Sequence, residues 1–108
     1  MIPTFPKYVL IYVTDEESRT LEHWYVRVAR WGVPAGRIEE GELPLDAARR
    51  ELLERTGYEV DRYYLEDDGI EALDKDETGF KFKTKKEHLR KVAAPGVRGG
   101  YETKIRWK

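Results

Sequence analysis

Apolar and polar positions alternate in short runs along most of the chain, and the period changes once. Residues 7–14 (KYVLIYVT) and 22–30 (EHWYVRVAR) are rich in β-branched and aromatic side chains, which suit a pleated, half-buried surface. The charged segment DEESRT between them predicts a hairpin. WGVPAG, residues 31–36, then breaks the strand with Pro34 and two glycines. Between Pro44 and Thr56 the period becomes helical. Leu45, Ala48 and Leu52 recur at spacings of three and four, Pro44 suits the first turn, and Gly57 suits the stop. Leu43 offers no side-chain acceptor as an N-cap.

Beyond Gly57 the pattern returns to short elements. Residues 58–65 (YEVDRYYL) read as a strand, and 79–84 (GFKFKT) alternate, with Phe80 and Phe82 on one side and lysines on the other. Thr84 and Glu87 have the spacing of a capping box ahead of HLRKVAA, which predicts a second short helix ending before Pro95 and Gly96. APGVRGG reads as a glycine-rich loop. YETKIRWK reads as a closing strand with Tyr101, Thr103, Ile105 and Trp107 on one face.

A chain of 108 residues with this pattern is one domain, residues 1–108, with a single modest core. It has no cysteine, which excludes disulfides and thiolate metal sites. Its first apolar run is too short for a signal-peptide core or a membrane span, so the expectation is a cytoplasmic protein without a membrane partner. Charge is uneven. Residues 1–78 hold 10 Lys and Arg against 19 Asp and Glu, whereas residues 79–108 hold 10 against 2. Either the two parts attract each other across one solvated surface, or carboxylates for a metal sit beside cations for phosphate.

On the helix, Glu51, Glu54 and Arg55 fall at i, i+3 and i+4 and share one face, beside the apolar stripe. Stacked carboxylates repel by a few tenths of a kcal/mol, roughly, in an isolated helix, so helix stability does not explain them. A hard cation such as Mg2+, which takes oxygen ligands and bridges to phosphates, does.

Gly36, Glu42, Arg50, Glu51, Leu52, Glu54, Gly57 and Tyr58 together resemble the signature of the Nudix hydrolase family, G-x5-E-x7-R-E-U-x-E-E-x-G-U with U a bulky apolar residue. VPAG is similar to the turn that precedes it. The resemblance implies an α/β (α+β) fold, an α/β/α sandwich on a mixed sheet, and hydrolysis of a nucleoside diphosphate linked to another group, with Mg2+ or Mn2+. By position, Glu51 and Glu54 would be metal ligands and Glu51 also the base. Arg50 would orient Glu51, Glu42 would brace the loop to the helix, and the carbonyl of Ala35 or Gly36 would add a ligand. Arg37, Arg55, Lys83 and Glu102 are the positions assigned to substrate: a nucleotide, a dinucleoside polyphosphate or an RNA 5′ end.

Arg55 departs from the signature, where a glutamate is usual. A guanidinium has no acceptor and stays protonated, so it cannot ligate Mg2+. Three readings stand side by side: an ion pair with Glu51 in a fold that has lost catalysis, direct binding of phosphate in place of an ion, or a replacement carboxylate from Glu39, Glu66 or Glu102. Two function classes therefore remain, a metal-dependent pyrophosphohydrolase and a binding module for nucleotide, RNA or protein. His23 and His88 read as ordinary surface or half-buried residues, and Trp24, Trp31 and Trp107 as core or sheet-face residues. The lysines of KFKTKK read as a solvated strand face or an electrostatic guide for polyphosphate. Relatives usually continue past the last strand, so a minimal or truncated sandwich that associates as a homodimer is expected.

Overall fold

The structure, a computed structural model, describes residues 5–94, 97, 98, 101, 102 and 104–108, and for Val97, Arg98, Tyr101 and Glu102 it describes the backbone alone. The apolar alternation of Tyr8–Thr14 makes β1 the centre of the fold. Its Val9, Ile11 and Val13 are fully buried, together with Leu52, Ala47 and Ala48 of helix α1 (Pro44–Thr56). Four strands form a mixed sheet in the order β4 (Ala35–Arg37), β1, β7 (Glu77–Lys85), β6 (Glu66–Asp74). The β1–β7 pair is parallel and sets Val9 against Phe80 and Ile11 against Phe82, so the two apolar rows share the face that α1 covers. The mixed sheet and the helix over 44–56 agree with the sequence pattern. Among the described residues α1 is the one α-helix.

The expected hairpin between residues 7–14 and 22–30 does not form. Asp15 accepts hydrogen bonds from the N–H groups of Glu17 and Arg19, Ser18 adopts φ 61°, and only Thr14 and Thr20 bridge across the turn. The chain thereby leaves the first sheet. β2 (Leu21–Tyr25) lies instead between β3 (Arg30–Gly32) and β11 (Ile105–Trp107) in a separate three-stranded sheet. The predicted strand 22–30 is itself folded back: Val26–Val28 make a 3₁₀ turn, Ala29 sits at φ 50°, and Trp31 returns opposite Trp24. His23 is fully buried rather than near the surface, packed 3.9 Å from the Tyr25 ring.

Two further expectations change. Residues 58–65 divide into β5 (Tyr58–Val60) and a 3₁₀ turn at Arg62–Tyr64, because Asp61 caps the N–H of Tyr63. The second helix is absent, since Thr84 is in the ladder opposite Val13 and cannot cap a helix. Lys86–His88 form one 3₁₀ turn, and β8 (Leu89–Lys91) pairs with β5. β6 has no apolar alternation and appears only as the edge partner of β7, exposed at nearly every residue. Its Glu66, Asp67, Asp68, Glu71 and Asp74 would face like charge in a homodimer that paired along this edge. β9 (Val97–Arg98) and β10 (Tyr101–Glu102) pair with each other. Pro95, Gly96, Gly99, Gly100 and Thr103, which complete the predicted loop and strand alternation, lie outside the described residues.

Candidate functional site

Helix α1 stops where its sequence predicts: Gly57 takes φ 78° and donates to the Leu53 carbonyl. This registers Glu51 toward β4, where it is 4% exposed. Gly36 makes the approach possible, since a Cβ there would lie 2.1 Å from the Glu51 carboxyl carbon. Only glycine leaves room for the carboxylate against the strand.

Arg50 is the hub around this carboxylate. Its Nη1 donates to Glu51 Oε1 at 2.8 Å, its Nε to Glu42 Oε2 at 2.8 Å, and its Nη2 to Glu42 Oε1 and the Arg37 carbonyl at 2.9 Å each. Glu42 in turn accepts from the Glu39 N–H at 3.0 Å. Arg50 thus contacts Glu51 directly and, through Glu42, joins the loop to the helix. Hydrogen bonds from Arg50 hold the Glu42 carboxyl below its ordinary range, against the opposing effect of burial, and the same pair raises the affinity of Arg50 for its proton.

This pair has a consequence for acid stability. A carboxyl depressed in the folded state contributes stability above its unfolded value, about 4.3 for Glu, and loses it as pH falls through the lower folded value. Asp15 is also depressed: burial pushes its carboxyl up, but hydrogen bonds from the backbone and side chain of Arg19 outweigh it. Thermal melts should therefore fall steeply below about pH 4, and Glu42→Gln should flatten that limb without abolishing it. An unchanged acid limb in Glu42→Gln would count against the pair.

Arg55 completes the arrangement. Its Nε donates to Glu51 Oε2 at 3.0 Å, and its guanidinium lies 5.4 Å from the centroid of the Tyr25 ring. Both Glu51 oxygens thus face a guanidinium. Glu54, 42% exposed at its side chain, has one oxygen 3.4 Å from Arg50 Nη1. Around these groups opens a cleft of about 870 Å³, lined also by Tyr8, Ala35, Arg37 and Glu39.

A divalent cation held by the helix glutamates does not fit this arrangement. The oxygens of Glu51 are engaged by Arg50 and Arg55, and among the described residues no group of three His, Asp or Glu side chains is placed to hold an ion. The lining carries three guanidiniums and three carboxylates. A glutamate at Arg55 would make that two against four, which is the difference between a neutral cleft and one that attracts a cation.

The structure brings together Ala35, Gly36, Arg37, Glu42, Arg50, Glu51, Glu54 and Arg55. Lys83 is not among them. It sits on β7 beside Asp68 and Glu66 of β6, 3.5 and 3.9 Å away, and with Lys81 and Lys85 lines a different cavity. Glu66 goes with it and supplies no replacement carboxylate to the cleft; Glu39 does line the cleft, and the side chain of Glu102 lies outside the described residues. Tyr8 and Tyr25 were not legible as site residues, since each depends on how a strand is placed across the chain.

The network of Gly36, Glu42, Arg50 and Glu51 stands within a longer match: a model of the NUDIX domain covers residues 4–100. The chain belongs to the Nudix family. A 39-residue stretch is 59% identical to the RNA pyrophosphohydrolase of Bartonella bacilliformis, covering 35% of this chain and 23% of that protein. The m7GpppN-mRNA hydrolase of Caenorhabditis elegans is 36% identical over 62 residues, which is 56% of this chain and 8% of the relative. This chain therefore spans less than a quarter of either relative. The crystal structure of a MutT protein from Bacillus halodurans superimposes with a TM-score of 0.68 at 25% identity, covering 96% of this chain and 68% of the other. Nudix enzymes generally use divalent cations. No helix among the described residues is long and apolar enough to cross a membrane.

Proposed function

We propose that the cleft binds the pyrophosphate group of a nucleotide or RNA 5′ end, and that hydrolysis of that group, the reaction of the family, is strongly attenuated in this member. The observation that carries the reading is the Arg55–Glu51 contact at 3.0 Å, which places a cation where the family signature has a glutamate. Arg37 and Arg55 present guanidinium donors matched to phosphate oxygens, Arg50 adds positive charge while its own N–H groups are engaged by Glu42, Glu51, Glu54 and the Arg37 carbonyl, and Tyr8 and Tyr25 supply rings beside them. With its oxygens engaged by two guanidiniums, Glu51 is poorly placed to accept a proton from water. The relatives named as RNA pyrophosphohydrolase and mRNA hydrolase support an RNA 5′ end as one ligand.

Calorimetric titration with nucleoside di- and triphosphates and 5′-triphosphorylated RNA, paired with a phosphate and pyrophosphate release assay in Mg2+ or Mn2+, tests this reading. Binding with slow release is the expected result. Absence of binding to every pyrophosphate-bearing ligand would sink it, and fast turnover would overturn the attenuation.

A further inference from the structure

The face of the sheet turned away from α1 carries a second cavity, of about 1030 Å³, between the 3₁₀ turn at Arg62–Tyr64 and β7. Its wall is aromatic. Tyr64 and His88 stack face to face at 3.9 Å and 8°, and Tyr63 stands edge-on to Tyr64 at 5.3 Å while remaining 84% exposed. Its floor is basic and acidic by turns. Lys81 and Lys83 are each 3.5 Å from Asp68, whereas Lys85 forms no ion pair among the described residues. Tyr12 lies beneath Lys81 and donates to Glu71 at 2.7 Å; burial, then Glu71, pushes its hydroxyl up to about 12, so it remains a donor at neutral pH.

The two cavities share a strand face. Side chains alternate along β1, so Tyr8, which lines the pyrophosphate cleft, and Tyr12, which lines the second cavity, point to the same side. Four residues of strand separate them by about 13 Å. An extended chain anchored by its 5′ phosphates beside Arg37 would run along this face into the stacked rings.

Resting on the pyrophosphate reading of the first cleft, we propose that the second cavity is a stacking site for bases downstream of a 5′-phosphorylated single strand. An exposed ring next to a stacked pair is a platform that accepts any base, and lysines beside it meet the backbone phosphates. The carboxylates of Glu66, Asp68 and Glu71 balance the three lysines of the lining, so the cavity alone holds a strand weakly. Anchoring of the 5′ end raises the local concentration of the bases and makes the two contacts cooperate.

The test compares ATP, a 5′-triphosphorylated RNA hexanucleotide and the same hexanucleotide with a 5′-hydroxyl, by fluorescence anisotropy and calorimetry. The triphosphorylated RNA should bind at least about tenfold tighter than ATP, and the hydroxyl form weakly. Tyr63→Ala and Lys85→Glu, both at exposed positions, should each weaken RNA binding, Tyr63→Ala by about tenfold, and leave ATP affinity unchanged. RNA binding no tighter than ATP, variants that change nothing, or variants that weaken ATP to the same degree would overturn the second site alone. A protein that binds neither ATP nor RNA would overturn the first-cleft reading, and the second with it.

Discussion

Arg55→Glu is expected to raise Mg2+ affinity by at least about tenfold and to raise turnover on nucleotide and RNA pyrophosphates with it. The substitution removes the cation 3.0 Å from Glu51 and returns a third carboxylate to the helix face that carries Glu51 and Glu54. One charge at about 5 Å from a second is worth roughly 3 kcal/mol at an effective dielectric of 20, and reversal changes the interaction with a divalent ion by several times that before relaxation and screening reduce it. Arg55 is largely shielded, at 18% side-chain exposure, so screening does not erase the effect. Isothermal titration with Mg2+ and single-turnover release of phosphate measure the two quantities. If metal affinity and turnover stay where they were, Arg55 is not what attenuates the site. Arg55→Ala separates the terms: it removes the blocking cation without adding a ligand, so pyrophosphate affinity should fall while metal affinity gains less than in Arg55→Glu.

Helical spacing put Glu51, Glu54 and Arg55 on one face, and the resemblance to the Nudix signature added Gly36, Glu42 and Arg50; the reason such a local pattern can be read is physical. Gly36, Glu42, Arg50, Glu51 and Glu54 lie within one loop and one helix, where distance along the chain nearly determines distance in space. The helix bounds, the Gly57 stop and the pairing of Arg55 with Glu51 follow from the same local rules. What failed was non-local. The hairpin expected from residues 7–30 required β1 and β2 to pair, but β1 gains more by lying parallel to β7, which buries Val9, Ile11 and Val13 beside Phe82. Lys83 was assigned to substrate on charge, yet in the β1–β7 ladder it lies opposite Tyr12, four residues along from the Gly79 that lies opposite Tyr8 at the cleft, so it lines the second cavity instead. β6 was missed because an exposed edge strand needs no apolar period to pair. The capping-box spacing at Thr84 and Glu87 was overridden by the β1–β7 ladder.

Glu51→Gln separates anion binding from catalysis most directly, and its expected outcome is unusual for a residue of this motif: lower stability with tighter pyrophosphate binding. Glu51 is 4% exposed and accepts from Arg50 at 2.8 Å and Arg55 at 3.0 Å. Removing one partner of a buried charge cluster costs about 3–5 kcal/mol where the remaining charge is stranded. Here the cost should be at the lower end or below it, because Arg50 keeps Glu42 and Arg55 keeps the Tyr25 ring. For a domain of this size that is a fall in Tm of the order of 10 °C. The same change leaves the Arg55 guanidinium without a charged partner among the described residues, so pyrophosphate should bind several-fold more tightly and restore part of the lost Tm by linkage. A Glu51 that served chiefly as a base or metal ligand would behave otherwise: Glu51→Gln would abolish residual turnover and leave pyrophosphate affinity unchanged or weaker. Differential scanning calorimetry with and without inorganic pyrophosphate distinguishes the two. A variant whose Tm falls but is not raised by pyrophosphate beyond the rise seen in the parent would show that the guanidiniums of this cleft do not bind phosphate.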